Sequence, residues 1–346
     1  MTTIRQHFHA WAQDGLLGHA VPANQGGAGD GFAQLVESHE QLGRESRDSG
    51  LILALNAHLW GSLFPMLIHG SAAQRQRFLP GLLDGTLIGG QAITEAQAGS
   101  DLQGLRASAV AVDDGFVLTG HKRTITNAPD ANLLVVYTRL NEKLSAFIVT
   151  RDDPGSAFLD HPAVDACASA GMGDVLLEQC RVPAERLLGK SGNGLLMVQR
   201  ALELERAFIF AGICGILDRL LGDVIEFSRK RTVAGHALAS HQAISHRIAE
   251  MRTRLDTTRL WVKNCAMLKD AGKGITLASS QTKLVGAEAF LQISLDAVQI
   301  FGAAGLMEDH PARQLVGDAL ASRLFSGTSE IQKNIIAAIL GVVARN

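Results

Sequence analysis

Two glutamates in the stretch Ala201-Leu202-Glu203-Leu204-Glu205-Arg206 are the side chains best placed for acid–base work. Helical spacing gives Glu205 the neighbours Ala201, Leu202, Phe208 and Ile209, so its carboxylate points into an apolar stripe. Glu203 neighbours Gln199, Arg200, Arg206 and Ala207, a more polar face. A desolvated carboxylate has a raised pKa, which suits it to take a weakly acidic proton and hold it. A glutamate so placed can also pair with a buried arginine and merely lock the packing, and the residues alone leave both readings open. His236, His241 and His246 fall five apart, too far for neighbouring turns of one helix face, so no metal site is expected.

A second stretch, Gln91 to Asn127, has the layout of a ligand cradle. An apolar run, Leu87 to Ile93, breaks at a loop of small residues containing Ala98, Gly99 and Ser100. Two alternating segments follow around Asp113-Asp114-Gly115, a hairpin signal. A loop without bulky side chains lets backbone N–H groups approach a planar or anionic ligand closely.

Composition bounds the function classes. A chain of 346 residues exceeds one compact core, so two or three subdomains are expected. Hydrophobic residues make up 47% and charged ones 19%, enough for a buried core and unlike a disordered chain. With a net charge of −2 there is no basic field for nucleic acid or anionic lipid. Cys167, Cys180, Cys214 and Cys265 show no paired short spacing, so reduced thiols in a cytosol are expected rather than disulfides or zinc. The start, MTTIRQHFHAWAQDG, lacks the layout of a signal peptide, and no uninterrupted apolar run reaches membrane-spanning length. A soluble cytoplasmic protein is the expectation.

The elements that must position these residues follow a change of period. Residues 1–86 read as helices, with Phe8, Trp11, Leu16 and Leu17 on one face and Leu51 to Ile68 as a more buried helix. Ser71 is the expected N-cap of a helix that Pro80 limits. Residues 87–193 alternate, and Ala107–Val112, Phe116–Thr119, Leu133–Thr138, Ala146–Thr150 and Val175–Glu178 read as the strands of a small barrel. Residues 194–346 return to long helices, Leu195–Leu221, His241–Ala271, Ile275–Ile300 and Pro311–Val343, at bundle lengths.

The strings ITEAQAGSD and KRTITNA, in that order, resemble the flavin-binding signature of the acyl-CoA dehydrogenase family, and the likeness runs over roughly residues 15–343. It implies an α+β fold: an N-terminal helical domain (1–86, shortened here), a middle β-barrel (87–193) and a C-terminal four-helix bundle (194–346). It further implies FAD and the dehydrogenation of an acyl thioester. Gln91, Ile93 and Thr94 would lie along the isoalloxazine, and Gly99 and Ser100 would meet the flavin or the thioester arm. Thr124, Ile125 and Thr126 would cover the other edge, where relatives often carry an aromatic residue at the place of Thr124. Arg231 in RKRTVAG matches the arginine that reaches a neighbouring subunit's FAD, which implies a homodimer or homotetramer. Ala234 stands where a phenylalanine is usual. Gln299 and Gly302 in DAVQIFGAAG, with Thr328 and Glu330 in SGTSEIQ, match the segments around the adenosine end.

Two departures sharpen the resemblance. The commonest base of the family sits in a Glu-Gly-Thr turn, but this chain reads Phe325-Ser326-Gly327-Thr328, and a serine cannot act as a carboxylate base. Isovaleryl-type members carry the base on the helix after the barrel, directly before an arginine, which matches Glu205 and Arg206. Glu203, Arg206, Phe325 and Ser100 would then border the substrate, and the Ser326 backbone would polarise the thioester carbonyl. The second departure is Val164-Asp165-Ala166-Cys167-Ala168-Ser169-Ala170, where enzymes acting on free CoA usually offer Lys and Arg. CoA phosphates are normally met by such residues, so the expected substrate is a thioester on an acyl or peptidyl carrier protein, with CoA as the alternative. The electron acceptor would be an electron-transferring flavoprotein or oxygen. A flavin oxidase or oxygenase, or a catalytically silent flavin- or thioester-binding subunit, are the competing readings.

Overall fold

The computed structural model describes residues 3–160 and 164–342; the ends of the first and last predicted segments lie outside them. Thr3 caps α1 (Ile4–Gln13), which buries Phe8 and Trp11. After α2 (Phe32–Ser46), α3 (Ser49–His58) and α4 (Phe64–His69) are joined by a π-helical segment, Leu59–Leu63. Together they form the buried helix expected near Leu51–Ile68. Ser71 caps α5 (Ala72–Leu83) as expected, in a capping box with Gln74. Pro80 does not limit that helix: it sits inside, and the helix continues to Leu83.

Eight strands follow: β1 (Gly89–Ala92), β2 (Ser108–Val112), β3 (Gly115–Thr126), β4 (Leu133–Leu140), β5 (Lys143–Thr150), β6 (Ser156–Asp160), β7 (Met172–Pro183) and β8 (Leu187–Leu188). They form one sheet in the order β6-β7-β3-β2-β4-β5-β8, with β1 added on β4. The β2–β3 hairpin turns at Asp113-Asp114, since Val112 pairs with Gly115. β1 and β2 share one edge of β4, both parallel to it, at Leu133–Val136 and Arg139–Leu140. Strands β3 and β7 are much longer than the sequence suggests, and β1 and β6 were not read from it as separate strands. Their alternation is broken by β-bulges, which hide the period of two.

The remaining helices are α6 (Gly194–Lys230), α7 (Gln242–Asp270), α8 (Thr276–Phe301), α9 (Pro311–Ser322) and α10 (Ser329–Ile339), with a short hairpin of β9 (Thr232–Val233) and β10 (His236–Ala237) after α6. The predicted last helix is therefore two. It breaks at Ser326 and Gly327, both left-handed, with φ of 55° and 92°. The chain divides into two compact units: residues 1–31, 53–164 and 168–205, and residues 32–52, 165–167 and 206–346.

In the second unit α2 lies against α6 at backbone distance. A Cβ on Gly43 would fall 1.9 Å from the Gly212 carbonyl oxygen, and one on Gly215 1.9 Å from that of Glu40. Only glycine permits this approach. Around it Arg259 binds Glu40 and Asp218, while Arg44 also reaches Asp218.

Two helical stretches, Ser49–His69 and Thr276–Leu306, are long and apolar enough to span a bilayer by length and composition, which the sequence reading did not expect. The most apolar window of the first is 89% buried inside the fold, as a core helix requires, and that of the second is 50% buried. All four cysteines are buried, and none forms a disulfide.

The buried helix and β1 are joined through one imidazole. His58 Nδ1 accepts from the Gly89 N–H at 3.1 Å, and Nε2–H donates to the Leu82 carbonyl at 2.9 Å. Burial lowers its pKa from 6.5 to about 4, against a smaller opposing effect of the Leu82 contact. The folded protein therefore binds fewer protons here than the unfolded chain between these values, so stability falls as pH drops through that window. His58→Gln should flatten the fall in thermal midpoint between pH 6.5 and 4, measured by denaturation scans of both proteins across that range.

Candidate active site

Glu205 is 6% exposed, and the stripe positions Ala201, Phe208 and Ile209 are buried as the helical spacing requires, while Glu203 is half-buried. The Gln91 amide donates to Glu205 Oε2 at 3.3 Å, and its own oxygen, Oε1, is buried without a hydrogen-bond partner. Gln91 owes its position to the π-helical segment. A Cβ on Gly61 would fall 2.8 Å from the Gln91 nitrogen, so the helix backbone lies directly against β1. Asn127 closes the other side, donating to the Ala54 and Gly89 carbonyls at 2.9 and 3.0 Å.

The loop after β1 is shaped by a buried ion pair. Lys122 Nζ lies 2.7 Å from Glu95 Oε1 and also donates to the Ile93 carbonyl at 2.9 Å. The Arg106 and Ala107 N–H groups complete the Glu95 carboxylate at 2.7 and 3.0 Å. Burial alone would raise Glu95, but Lys122 and these two donors hold its carboxyl below the usual range. Around this anchor Gly99 and Ser100 are exposed, and a Cβ on Gly99 would meet nothing within 4 Å.

The facing segment is held against that loop by the Arg123 N–H, which donates to the Thr94 carbonyl at 2.8 Å. Thr124 is exposed and left-handed, with φ of 52°, inside a bulge of β3. Asp174 supports the bulge: it accepts from the Thr124 N–H at 3.2 Å and meets His121 at 2.9 Å and Arg123 at 3.3 Å. Burial would raise this carboxyl, but these contacts outweigh it and hold it below its ordinary range. Thr94 and Thr126 are half-buried, whereas Ile93 and Ile125 turn their side chains inward. Either isoleucine could touch a ligand only through its backbone.

The break between α9 and α10 is fixed by Arg206, whose Nε–H donates to the Ser326 carbonyl at 2.8 Å. Gln332 donates to the Gly327 carbonyl at 2.8 Å, and the fully buried Lys283 donates to the Ser322 carbonyl at the end of α9. The Lys283 ammonium also lies 5.5 Å from the centre of the half-exposed Phe325 ring. The Ser326 hydroxyl is buried without a hydrogen-bond partner. Thr328 spends its hydroxyl as the N-cap of α10, accepting from the Ile331 N–H at 3.3 Å.

Arg231, Gln299, Gly302 and Glu330 are exposed at the ends of α6, α8 and α10. Gly302 has φ of 62° and ψ of −140°, a backbone that favours glycine. Within each unit one pair of the predicted set is in contact: Gln91 with Glu205, and Arg206 with Ser326. Sequence reasoning missed Glu95, Lys122, Asp174, Lys283 and Gln332. The available signal was charged or amide residues inside otherwise apolar segments, the pattern of paired interior charges.

Family models for the N-terminal, middle and C-terminal domains of acyl-CoA dehydrogenase match residues 2–86, 90–180 and 192–341. The chain belongs to the acyl-CoA dehydrogenase family. It is an FAD-dependent oxidoreductase that dehydrogenates the CH–CH bond of acyl thioesters. An L-prolyl-[peptidyl-carrier protein] dehydrogenase of Pseudomonas fluorescens is 35% identical over 339 residues, covering 94% of this chain and 88% of that protein. A solved FAD-dependent dehydrogenase matches with a TM-score of 0.95 at 32% identity, covering 99% of this chain and 94% of its own. The prolyl acyl carrier protein oxidase AnaB matches with a TM-score of 0.94 at 32% identity, covering 97% and 90%.

The residues present fit a flavin. The open small-residue loop, the exposed Thr124 bulge and the unpartnered Gln91 oxygen offer a planar, polar-edged group space and hydrogen-bonding capacity. Asp174→Ala should release the bulge and lower the FAD retained per chain after gel filtration, read from the ratio of visible to ultraviolet absorbance. Asp174→Asn keeps an acceptor for the Thr124 N–H and should retain more.

Proposed function

We propose that this acyl-CoA dehydrogenase homologue oxidises an acyl group presented on an acyl or peptidyl carrier protein, in specialised metabolism, with Glu205 as the base. Bound FAD supplies a hydride acceptor for the β-carbon. Glu205 takes the α-proton on its carboxylate, and the Gln91 amide orients that carboxylate from 3.3 Å. The backbone N–H of Ser326 polarises the thioester carbonyl, and Arg206 fixes the turn that carries it through the Ser326 carbonyl. A backbone donor needs no particular side chain, which is why serine can occupy this position.

Gln91, Thr94, Gly99, Ser100, Thr124 and Thr126, with the Ile93 and Ile125 backbones, are proposed to hold the flavin. Gln299, Gly302, Thr328 and Glu330 are assigned to the adenosine end. Glu203, Phe325 and Ser100 are proposed to border the acyl arm. The exposure of Arg231 supports its reaching FAD in a second subunit of a homodimer or homotetramer. Cytoplasmic residence goes with this reading. The acceptor is oxygen or an electron-transferring flavoprotein, and the likeness to a protein described as an oxidase supports oxygen.

The observation that carries the carrier-protein reading is the segment 164–170. Its one charge is acidic, Asp165, and the Cys167 N–H donates to the half-buried Asp318 carboxylate at 2.6 Å. Nothing in it offers a CoA phosphate a cation. Turnover of one acyl group on a carrier, on CoA and on pantetheine should rank the carrier first by kcat/KM; equal or better values with CoA would remove the proposal.

Glu205→Gln keeps size and most packing but cannot accept a proton. It should retain FAD and bind thioester, while anaerobic bleaching of the flavin slows by roughly a hundred to ten thousand fold. Ser326→Ala should cost far less. Bleaching of Glu205→Gln at near the parent rate would sink the assignment.

A further inference from the structure

The chain has no basic excess overall, yet two of its neighbouring segments contain no carboxylate side chain, with the exposed Glu185 at their border. Neither Met66–Arg77 nor Arg186–Leu202 contains an Asp or Glu; Arg75, Arg77, Lys190 and Arg200 reach the surface, while Arg186 is buried beside Asp153. The two segments lie side by side. The Gln74 amide donates to the Glu185 and Leu187 carbonyls at 2.7 and 2.9 Å. A Cβ on Gly189 would fall 3.5 Å from His69 Cβ and 3.6 Å from Met197 Sδ. Arg75 donates to the Gly70 carbonyl at 2.6 Å, which holds its guanidinium at the start of α5. Burial lowers the pKa of His69, and the nearby charge of Arg200 adds to the effect, consistent with α4 and the first turns of α6 being neighbours.

This surface also carries exposed apolar side chains. Ile68 is 49% exposed, Leu195 38% and Leu196 47%. Leu196 and Arg200 are one turn apart on the same face of α6. Apolar groups bordered by cations of one sign make a surface for an acidic partner that also buries a few aliphatic side chains. Arg200 precedes Glu205 by five residues, about 7.5 Å along the helix axis. A partner seated here stands within a short tether of the proposed base.

We propose that the end of α4, the start of α5 and the first turns of α6 form the docking surface for the acidic carrier protein. Ile68, Leu195 and Leu196 make its apolar centre, and Arg75, Lys190 and Arg200 its cationic border. The proposal rests on the carrier-thioester reading. Carrier proteins are acidic, so opposite charge would steer encounter, and the apolar centre would hold the complex once formed.

The test uses the FAD-loaded full chain with one acyl group on a phosphopantetheinylated carrier protein and on free pantetheine. Lys190→Glu combined with Arg200→Glu should raise KM for the carrier substrate by about tenfold or more and weaken its dependence on salt. FAD content, thermal midpoint and pantetheine kinetics should stay unchanged. Leu196→Ser, which leaves the charges intact, should raise the carrier KM without altering the salt dependence. If the parent protein prefers its carrier substrate but the charge reversals leave that KM unchanged, the surface is wrong and the carrier reading survives. If the parent shows no preference for the carrier, the reading beneath the proposal fails. If the reversals instead change the oligomeric state or the rate with a protein electron acceptor, the face serves another copy or a redox partner, and the proposal is overturned.

Discussion

The buried contact between Glu95 and Lys122 is the constraint on which the loop proposed to face the flavin depends. Both side chains lie almost wholly inside the first unit, at 4% and 0% exposure. A pair so buried is weak evidence of net stability, because desolvation offsets much of the attraction. Its value here is positional. One carboxylate takes four donors, from Gln97 beside it and from Lys122, Arg106 and Ala107 on two further segments, while the ammonium donates to the Ile93 carbonyl. Removing either charge would leave the other desolvated and alone, which costs about 3–5 kcal/mol. The loop around Gly99 can therefore remain open without being loose.

The same economy of anchors recurs around it. Asp174 holds the left-handed Thr124 bulge from the neighbouring strand, so an irregular stretch of β3 keeps a fixed shape. His58 serves as a neutral relay between a helix carbonyl and the first N–H of β1. The glycine approaches at Gly61 and at Gly43 and Gly215 place backbones, not side chains, in contact. Positions set by backbone contact move little when surface residues change.

On the C-terminal side, the turn at Ser326 is held through its peptide groups. Arg206 and Gln332 hold its carbonyls, and Lys283 meets the end of α9 where the chain leaves the helix. A turn defined by its peptide groups can lose its acidic side chain and keep a role for its backbone, provided a carboxylate stands elsewhere. Glu205, adjacent in sequence to the arginine that fixes the turn, is the carboxylate proposed for that role.

Much of this was already fixed by residue order. Helical spacing put Glu205 on an apolar stripe and Glu203 off it, Ser71 and Gln74 marked a helix start, and Asp113-Asp114 marked a hairpin, because each depends only on neighbours a few residues away. The motif strings carried the family, and with it FAD and the layout of helices, sheet and bundle. The tertiary structure decided what involves distant partners. Bulges lengthened β3 and β7 beyond their alternating cores, and the left-handed Ser326 split a helix that periodicity had joined. The charged partners of Glu95 and Asp174 lie on other segments of the chain, and no local pattern names them. Segment 164–170 showed its missing cations in sequence, but its link to Asp318 on α9 joins residues 151 positions apart. Local spacing is written in the chain; which buried charge finds which partner is decided only when the backbone has closed around both.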